Sequence, residues 1–266
     1  MPERVGHVES LTSSNSVTVS NNSVRAYQKN GITATGAATG PGSLGPAITI
    51  SGNYIVGLAA TSMNWPGGAA ENGVQVGFGA TGTVSGNTVN DNIWFGDNSS
   101  QPYNAASGIL VYASSGIYVT GNSVGSAQFG ITTDTDPNYG PADFTTITTN
   151  KVSGTQIFDA IDVCSNSNTV KSNIIYGSTE AGVHMDDTCG GTGNGNTVTN
   201  NTINEACAGI LLGTGTNPTP VPNTYFNVTK TTLAGDVCPV AAATAVKGTK
   251  TQQASPRPSP YKPTRK

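Results

Sequence analysis

Apolar and polar residues alternate along most of this chain in short stretches that turns separate. One pattern recurs seven times: an apolar residue, two small or polar residues, an asparagine, one further residue and a second apolar residue. The copies are Val19–Asn22–Val24, Ile50–Asn53–Ile55, Val84–Asn87–Val89, Val119–Asn122–Val124, Ile147–Asn150–Val152, Val170–Asn173–Ile175 and Val198–Asn201–Ile203, with a degenerate eighth, Val228–Thr231–Leu233. Alternation with a period of two predicts strands that have one buried and one exposed face.

A second pattern lies between successive asparagine motifs. It is a small residue followed by apolar residues one and three positions later, as in Gly31-Ile32, Gly73-Val74, Gly108-Ile109, Gly130-Ile131, Ala160-Ile161, Gly182-Val183 and Gly209-Ile210. The spacing between asparagines varies from 23 residues (Asn150 to Asn173) to 35 (Asn87 to Asn122), which predicts loops of variable length between conserved strands. A single coil of this kind cannot bury its own apolar face, whereas coils stacked roughly 4.8 Å apart share a continuous core.

The recurring asparagine has a physical role at a sharp corner between strands. Asparagine tolerates left-handed backbone angles, and its amide can hydrogen-bond to the asparagine of the coil above and below. We therefore expect a ladder of stacked asparagines along one corner of a solenoid.

This repeat, from about Val17 to Leu233, resembles the pectate-lyase-like superfamily of right-handed parallel β-helices. The resemblance implies an all-β solenoid of about eight coils. We expect a leader over residues 1–15, a right-handed parallel β-helix over 16–238, and a Pro-rich, basic, disordered tail over 239–266. The superfamily includes pectate and pectin lyases, polygalacturonases, alginate lyases and epimerases, phage tailspikes and passive adhesins. The resemblance therefore implies a polysaccharide partner without fixing a reaction.

Charge and composition exclude several other classes of function. Residues 1–246 carry six Lys and Arg against all 15 Asp and Glu, a net charge of −9, so this body would repel nucleic acid. No apolar run approaches the roughly 20 residues that span a bilayer, so we expect no membrane insertion. The even number of cysteines and the Asn/Thr/Ser-rich surface favour a secreted or cell-surface protein that has lost its signal peptide from this start. We expect a monomer.

Chemistry-bearing residues concentrate in two predicted columns of outward positions, two and four residues after each small residue. The first column is Thr33, Gln75, Leu110, Thr132, Asp162, His184 and Leu211, and the second is Thr35, Gly77, Tyr112, Asp134, Cys164, Asp186 and Gly213. Coils four to six thus place the candidate catalytic residues on one exposed patch: Asp134, Asp162, His184 and Asp186. Like charges this close raise the pKa of at least one carboxyl group, as a general acid requires.

Other residues could complete this patch. Gln75, Tyr112 and Thr132 are candidate substrate-binding residues. Asp136 and Asp187, just past the strand ends, are candidate ligands for calcium, which prefers oxygen donors. The alternative is that these are ordinary polar residues of a solenoid face and of strand-end turns.

Family motifs do not decide among the reactions. The polygalacturonase pattern is met only by the pair Asp186-Asp187, and in the stretch Asp134-Thr-Asp136-Pro137 the next residue, Asn138, replaces the histidine of an alginate-epimerase motif. We expect a glycoside hydrolase, lyase or epimerase of an acidic glycan. The alternative is a non-catalytic adhesin or glycan-binding scaffold.

The four cysteines predict two disulfides out of three possible pairings. Cys207 follows Asn201 by six residues, and Cys238 follows Thr231 by seven, so the register favours Cys207–Cys238. Cys164 and Cys189 also fall on adjacent coils. A free thiol at Cys164 is the alternative.

Overall fold

The computed structural model describes residues 6–9, 16–27, 29–36, 45–58, 71–93, 106–155, 158–213, 215–216 and 219–235. The named elements over these residues are all β-strands, and every pairing between two of them is parallel. The chain winds through three faces in each coil, which confirms the predicted parallel β-helix. The proposed tail over 239–266 lies outside the described residues.

Face 1 is an eight-stranded sheet. Its strands are β2 (Ser16–Ser20), β5 (Ala47–Ser51), β8 (Thr81–Ser85), β11 (Ile117–Thr120), β14 (Thr146–Thr148), β17 (Thr169–Lys171), β19 (Thr197–Thr199) and β21 (Thr219–Pro220).

Face 2 follows face 1 in every coil. Its strands are β3 (Ser23–Arg25), β6 (Tyr54–Val56), β9 (Thr88–Asn92), β12 (Ser123–Ala127), β15 (Lys151–Thr155), the first halves of β18 (Ile174–Met185) and β20 (Thr202–Leu212), and β22 (Thr224–Phe226).

Face 3 completes the coil and bears the predicted site. Its strands are β1 (Gly6–Glu9), β4 (Asn30–Thr35), β7 (Asn72–Gly77), β10 (Ser107–Tyr112), β13 (Phe129–Asp134), β16 (Ile161–Cys164), the second halves of β18 and β20, and β23 (Lys230–Ala234). The long strands β18 and β20 join faces 2 and 3 into one 15-stranded sheet. Strand β1 lies within residues 1–15, which the sequence pattern placed before the helix.

The core consists of the inward residues of all three faces. Ile147 of face 1, Ile175 of face 2 and Ile161 of face 3 are each completely buried in one continuous apolar cluster. Lack of space explains why the residue at the start of each face 3 strand is small. A Cβ atom at Gly108 would overlap the side chain of Val124 on face 2 and the carbonyl oxygen of Gly130 on the next coil.

The predicted asparagine ladder is confirmed at the corner between faces 1 and 2. Each side-chain amide donates to the next asparagine Oδ1 at 2.9 to 3.0 Å, through Asn22, Asn53, Asn87, Asn122, Asn150, Asn173, Asn201 and Asn223. The left-handed residue, however, is the one before the asparagine, such as Thr149 (φ 54°) or Ser172 (φ 56°). The asparagine side chain therefore links the coils while its neighbour makes the turn.

The last coil corrects the sequence prediction. Asn223, not Thr231, follows Asn201 in the ladder, and Val198 pairs with Pro220. Thr231 and Leu233 of the expected copy belong to β23 on face 3 instead, where Leu233 pairs with Leu211, and Val228 precedes that strand. The pattern misled because Pro220 and Tyr225 replace the usual aliphatic residues around Asn223.

Candidate functional site

The predicted outward columns of face 3 form as expected. Thr132 pairs with Asp162, and Asp162 pairs with His184 on the next strand. In the second column, Asp134 lies opposite Cys164. The consecutive strands β13, β16 and β18 therefore carry Asp134, Asp162 and His184 on one part of face 3, and Asp186 follows β18 directly.

The predicted exposure of this patch is wrong. Asp162 is 0% exposed, Asp186 5%, His184 6% and Asp134 9%. Outward side chains of a solenoid are buried only where another segment covers them, so this part of face 3 is covered.

The loop between β18 and β19, residues 186–196, begins with Asp186 and lies at this end of face 3. A disulfide joins Cys189 of this loop to Cys164 of β16, with a Cα–Cα distance of 5.6 Å. Gly190 packs on the carbonyl group of Thr135, and Gly191 packs on that of Cys164, at distances that leave no room for a Cβ atom. The loop thus folds back against the ends of β13 and β16, which sequence spacing alone did not reveal.

His184 is held by an aspartate that the sequence analysis missed. Its Nδ1 lies 3.0 Å from Oδ2 of Asp159, and the other oxygen of that carboxylate accepts the backbone N–H of Ala181 at 3.0 Å. Nε2 of His184 is buried and has no hydrogen-bond partner among the described residues. The signal for Asp159 in the sequence is its place immediately before Ala160, at the start of a face 3 strand.

The electrostatic surroundings of His184 favour a positive charge. Burial by itself lowers the pKa of the ring. The charge and hydrogen bond of Asp159, followed by the charges of Asp186 and Asp162, raise this pKa to about 10. We call the group formed by Asp134, Asp159, Asp162, His184 and Asp186 the face 3 cluster.

Asp186 joins the cluster to the disulfide. Its Oδ1 accepts the backbone N–H of Thr188 at 2.7 Å and the hydroxyl of Thr188 at 2.6 Å. Its Oδ2 lies 3.1 Å from Sγ of Cys189 and 3.3 Å from Sγ of Cys164. A disulfide has no S–H donor, so these are close packing contacts that fix the position of the carboxylate.

The three predicted substrate-binding residues are placed differently from one another. Gln75 is half-buried and accepts a hydrogen bond from Asn30 at 3.0 Å. Thr132 is 1% exposed and accepts the hydroxyl of Ser107 at 3.0 Å. Tyr112 is 2% exposed, and its hydroxyl donates to Asp136. A tyrosine buried in this way offers no stacking surface to a sugar ring.

The two predicted calcium ligands are engaged in turns. Oδ1 of Asp136 accepts the backbone N–H of Asn138 at 2.7 Å, while Oδ2 accepts the hydroxyl of Tyr112. Oδ2 of Asp187 accepts the backbone N–H of Gly215 at 2.6 Å. Both carboxylates therefore cap loops that follow face 3 strands.

The Cys164–Cys189 pairing is confirmed, and the alternative of a free thiol at Cys164 is wrong. Cys207 is also disulfide-bonded, and its predicted partner, Cys238, lies outside the described residues. The register argument for that pair does not hold, since Thr231 is not in the asparagine column.

The coil geometry and the asparagine ladder define a parallel β-helix protein. A family model described as "Right handed beta helix region" matches residues 7–225, which is most of the chain. The chain belongs to this family. No curated protein sequence matches it.

Two solved structures are similar to this chain in fold. One is a double mutant of the periplasmic alginate epimerase AlgG, at 16% identity and a TM-score of 0.47, with 82% of this chain and 63% of that chain covered. The other is the A-module of the Azotobacter vinelandii mannuronan C-5 epimerase AlgE4, at 11% identity and a TM-score of 0.30, with 86% and 79% covered. This chain therefore spans less than two thirds of the AlgG structure. Among the described residues, no helix is long and apolar enough to cross a membrane.

Proposed function

We propose that this protein acts on an acidic polysaccharide outside the cytoplasm, as a hydrolase, lyase or epimerase, with the face 3 cluster as its active site. The observation that supports this most is the His184 ring, which Asp159 fixes through Nδ1 and whose Nε2 meets no partner in the part of the chain that the structure describes. A buried polar atom without a partner costs about 1 to 3 kcal/mol, so it is tolerated where a ligand supplies the missing contact.

The roles of the other groups follow from their position. Asp162 and Asp186 lie beside the ring, close enough for their charges to raise its pKa. One carboxylate can accept a proton from a sugar carbon or hydroxyl, while the imidazole ring of His184 stabilises negative charge on the sugar. Asp159 orients the ring and is a positioning residue.

This function requires that a polysaccharide can reach the face 3 cluster. Its four predicted side chains are at most 9% exposed, and one of them, Asp186, begins the disulfide-anchored loop 186–196. A polysaccharide can reach Nε2 of His184 only if a covering segment moves.

The experiment is a panel of acidic and neutral glycans, with product detection for reducing ends, unsaturated ends and C-5 epimers. Asp162→Asn and Asp186→Asn should each abolish turnover, and Asp187→Asn is the matched control that should keep it. Circular dichroism confirms that each variant folds. Full activity in both cluster variants would place the active site elsewhere.

A glycan-binding scaffold is the second candidate, and the outer side of face 2 favours it. Tyr54, Tyr176 and Phe226 are 41%, 48% and 53% exposed there, and Ile174 is 55% exposed. Exposed aromatic rings are suitable for stacking against sugars. Binding without turnover, weakened by Tyr176→Ala and unaffected by Asp186→Asn, would support the scaffold.

A further inference from the structure

A carboxylate oxygen lies against both sulfur atoms of the disulfide between Cys164 and Cys189. Oδ2 of Asp186 is 3.1 Å from Sγ of Cys189 and 3.3 Å from Sγ of Cys164. The other oxygen of this carboxylate, Oδ1, accepts the N–H and the hydroxyl of Thr188. Asp186 is therefore held in one orientation, with Oδ1 bonded to its own loop and Oδ2 directed at the two sulfurs.

Two further carboxylates approach the same pair of cysteines. Ligand atoms of Asp134, Cys164 and Cys189 all lie within 4.8 Å of one another. The two carboxylate oxygens of Asp162 are 3.7 and 3.8 Å from Sγ of Cys164. Buried charges in proteins are usually paired or bound to metal ions. So much negative charge around two sulfurs is therefore suited to a bound cation.

The sulfurs become metal ligands only when the disulfide is reduced, because the thiolate is the form that binds a metal. Reduction adds two electrons and two protons, breaks the S–S bond and leaves two thiols. A divalent ion that binds both sulfurs then displaces the two protons into solvent. A ligand set of two thiolates and a carboxylate oxygen suits zinc, whereas calcium and magnesium prefer oxygen ligands alone.

The positions of these groups are close to those that a zinc ion requires. Sulfur and oxygen ligands of one tetrahedral zinc ion are roughly 3.6 Å apart, and two sulfur ligands roughly 3.8 Å apart. Oδ2 of Asp186 already lies 3.1 and 3.3 Å from the sulfurs. The Cα atoms of Cys164 and Cys189 are 5.6 Å apart, so rotation about the Cα–Cβ bonds can separate the sulfurs after reduction. Cys189 is half-buried, which leaves an approach for the ion.

We infer that the reduced protein binds one zinc ion through the thiolates of Cys164 and Cys189 and Oδ2 of Asp186, with Asp134 in reach as a fourth ligand. The ion replaces the disulfide as the link between loop 186–196 and β16. Four protein ligands are typical of structural zinc sites. The inference does not depend on the proposed function, although both use Asp186, because zinc binding is measured without glycan.

The first test compares the oxidised and reduced forms of a full-length variant, Cys207→Ser with Cys238→Ser, which keeps only this pair of cysteines. The reductant is a phosphine, which takes an oxygen atom from water while the disulfide takes two electrons and two protons. By calorimetric titration, the reduced form should bind one zinc ion per chain and release two protons. The oxidised form should bind at least about 100-fold more weakly, because it offers no thiolate.

X-ray absorption of the zinc-loaded, reduced protein should show two sulfur scatterers together with oxygen. Equal affinity in the two redox states, or a spectrum without sulfur, would overturn the inference. If the Cys207→Ser, Cys238→Ser variant does not fold, the native protein is reduced and compared with Cys164→Ser, Cys189→Ser under the same conditions. The native protein should then bind one more zinc ion per chain than that variant, and equal stoichiometry and affinity would be the contrary result.

The second test assigns the oxygen ligand by the same titration of reduced proteins. Asp186→Asn should weaken zinc binding by at least about 100-fold. Thr188→Val, which removes the hydroxyl that holds Oδ1, should weaken it by about 10-fold, as for other groups that orient a ligand. Asp187→Asn is the matched control, because it removes the adjacent carboxylate and should leave affinity unchanged. Equal affinities in Asp186→Asn and Asp187→Asn would show that Asp186 is not a ligand.

The third test follows the link between the loop and β16. Limited proteolysis within residues 186–196 should be fast in the reduced protein without zinc and slow once zinc is added. The Cys164→Ser, Cys189→Ser variant is the control, because zinc should leave its cleavage rate unchanged. The same protection by zinc in that variant would mean that the ion acts elsewhere, contrary to the inference.

Discussion

Oδ2 of Asp159 lies 3.0 Å from Nδ1 of His184, and both side chains are buried on the outer side of face 3. The two residues come from adjacent coils, 25 positions apart in the chain. An ion pair in such surroundings depends on both partners, because removing one leaves the other charge uncompensated in the protein interior.

Asp159→Ala should therefore lower the free energy of unfolding by about 3 kcal/mol at neutral pH. Asp159→Asn should cost less, because its amide oxygen can still accept the ring N–H. Urea unfolding of both variants measures the difference. If Asp159→Ala is as stable as the native protein, the pair of Asp159 and His184 contributes nothing to folding.

The asparagine ladder provides a prediction with an internal control. Asn150 donates to Asn173 Oδ1 at 3.0 Å and to the carbonyl oxygen of Val119 at 2.9 Å, and it accepts from Asn122. Asn150→Ala leaves several buried partners unsatisfied and should destabilise the fold by about 3 kcal/mol or more. Asn22→Ala, at the exposed end of the same ladder, should cost less than about 1 kcal/mol.

Chemical denaturation of the two alanine variants measures their free energies of unfolding and so tests whether the ladder stabilises the solenoid. If it does not, both variants should show similar, small losses of unfolding free energy.

Glu71 supplies a pH dependence. It is 0% exposed, Oε1 accepts the N–H of Leu58 at 2.6 Å, and Oε2 meets no hydrogen-bond partner within the described ranges. Burial, opposed by the Leu58 hydrogen bond and assisted by the charge of Asp91, raises its pKa from 4.5 to about 8. A raised carboxyl pKa means that the folded state holds the proton after the unfolded chain has lost it. Stability is then fully present below pH 4.5 and falls as the pH rises towards about 8.

Glu71→Gln removes this titration. Relative to the native protein, the variant should gain stability with rising pH by up to about 1.4 kcal/mol per unit in that window. Unfolding free energies at several pH values for both proteins measure the gain. Parallel stability curves would show that Glu71 ionises normally.

Much of the fold could be predicted from sequence because its cause is local. Inward residues such as Ile131 and Ile161 must alternate with outward ones on every strand, so their spacing reveals both the strands and the register of Thr132 against Asp162. The prediction failed at the last coil for the same reason, because Pro220 and Tyr225 replace the aliphatic residues that mark the pattern around Asn223.

The candidate site was predictable only in part. The column positions of Asp162 and His184 follow from the strand period, but their burial does not, because no periodicity encodes which segments cover an outward face. Asp159 was missed because it precedes its strand, outside the alternating positions, and meets His184 only through the stacking of coils.

The disulfide between Cys164 and Cys189 gives the last prediction. It closes a segment with a sequence separation of 25 and ties loop 186–196 to β16 beside Asp186. Constraining a segment of that length in the unfolded chain is worth about 3 kcal/mol. The double variant Cys164→Ser, Cys189→Ser should therefore unfold at lower denaturant concentration, with a loss near that value. Because the bond also ties this loop to β16, limited proteolysis should cut the variant within residues 186–196 faster than the native protein, while the β-sheet signal in circular dichroism stays the same. Cleavage at the native rate would mean that the glycine contacts of the loop with Thr135 and Cys164 hold it in place without the disulfide.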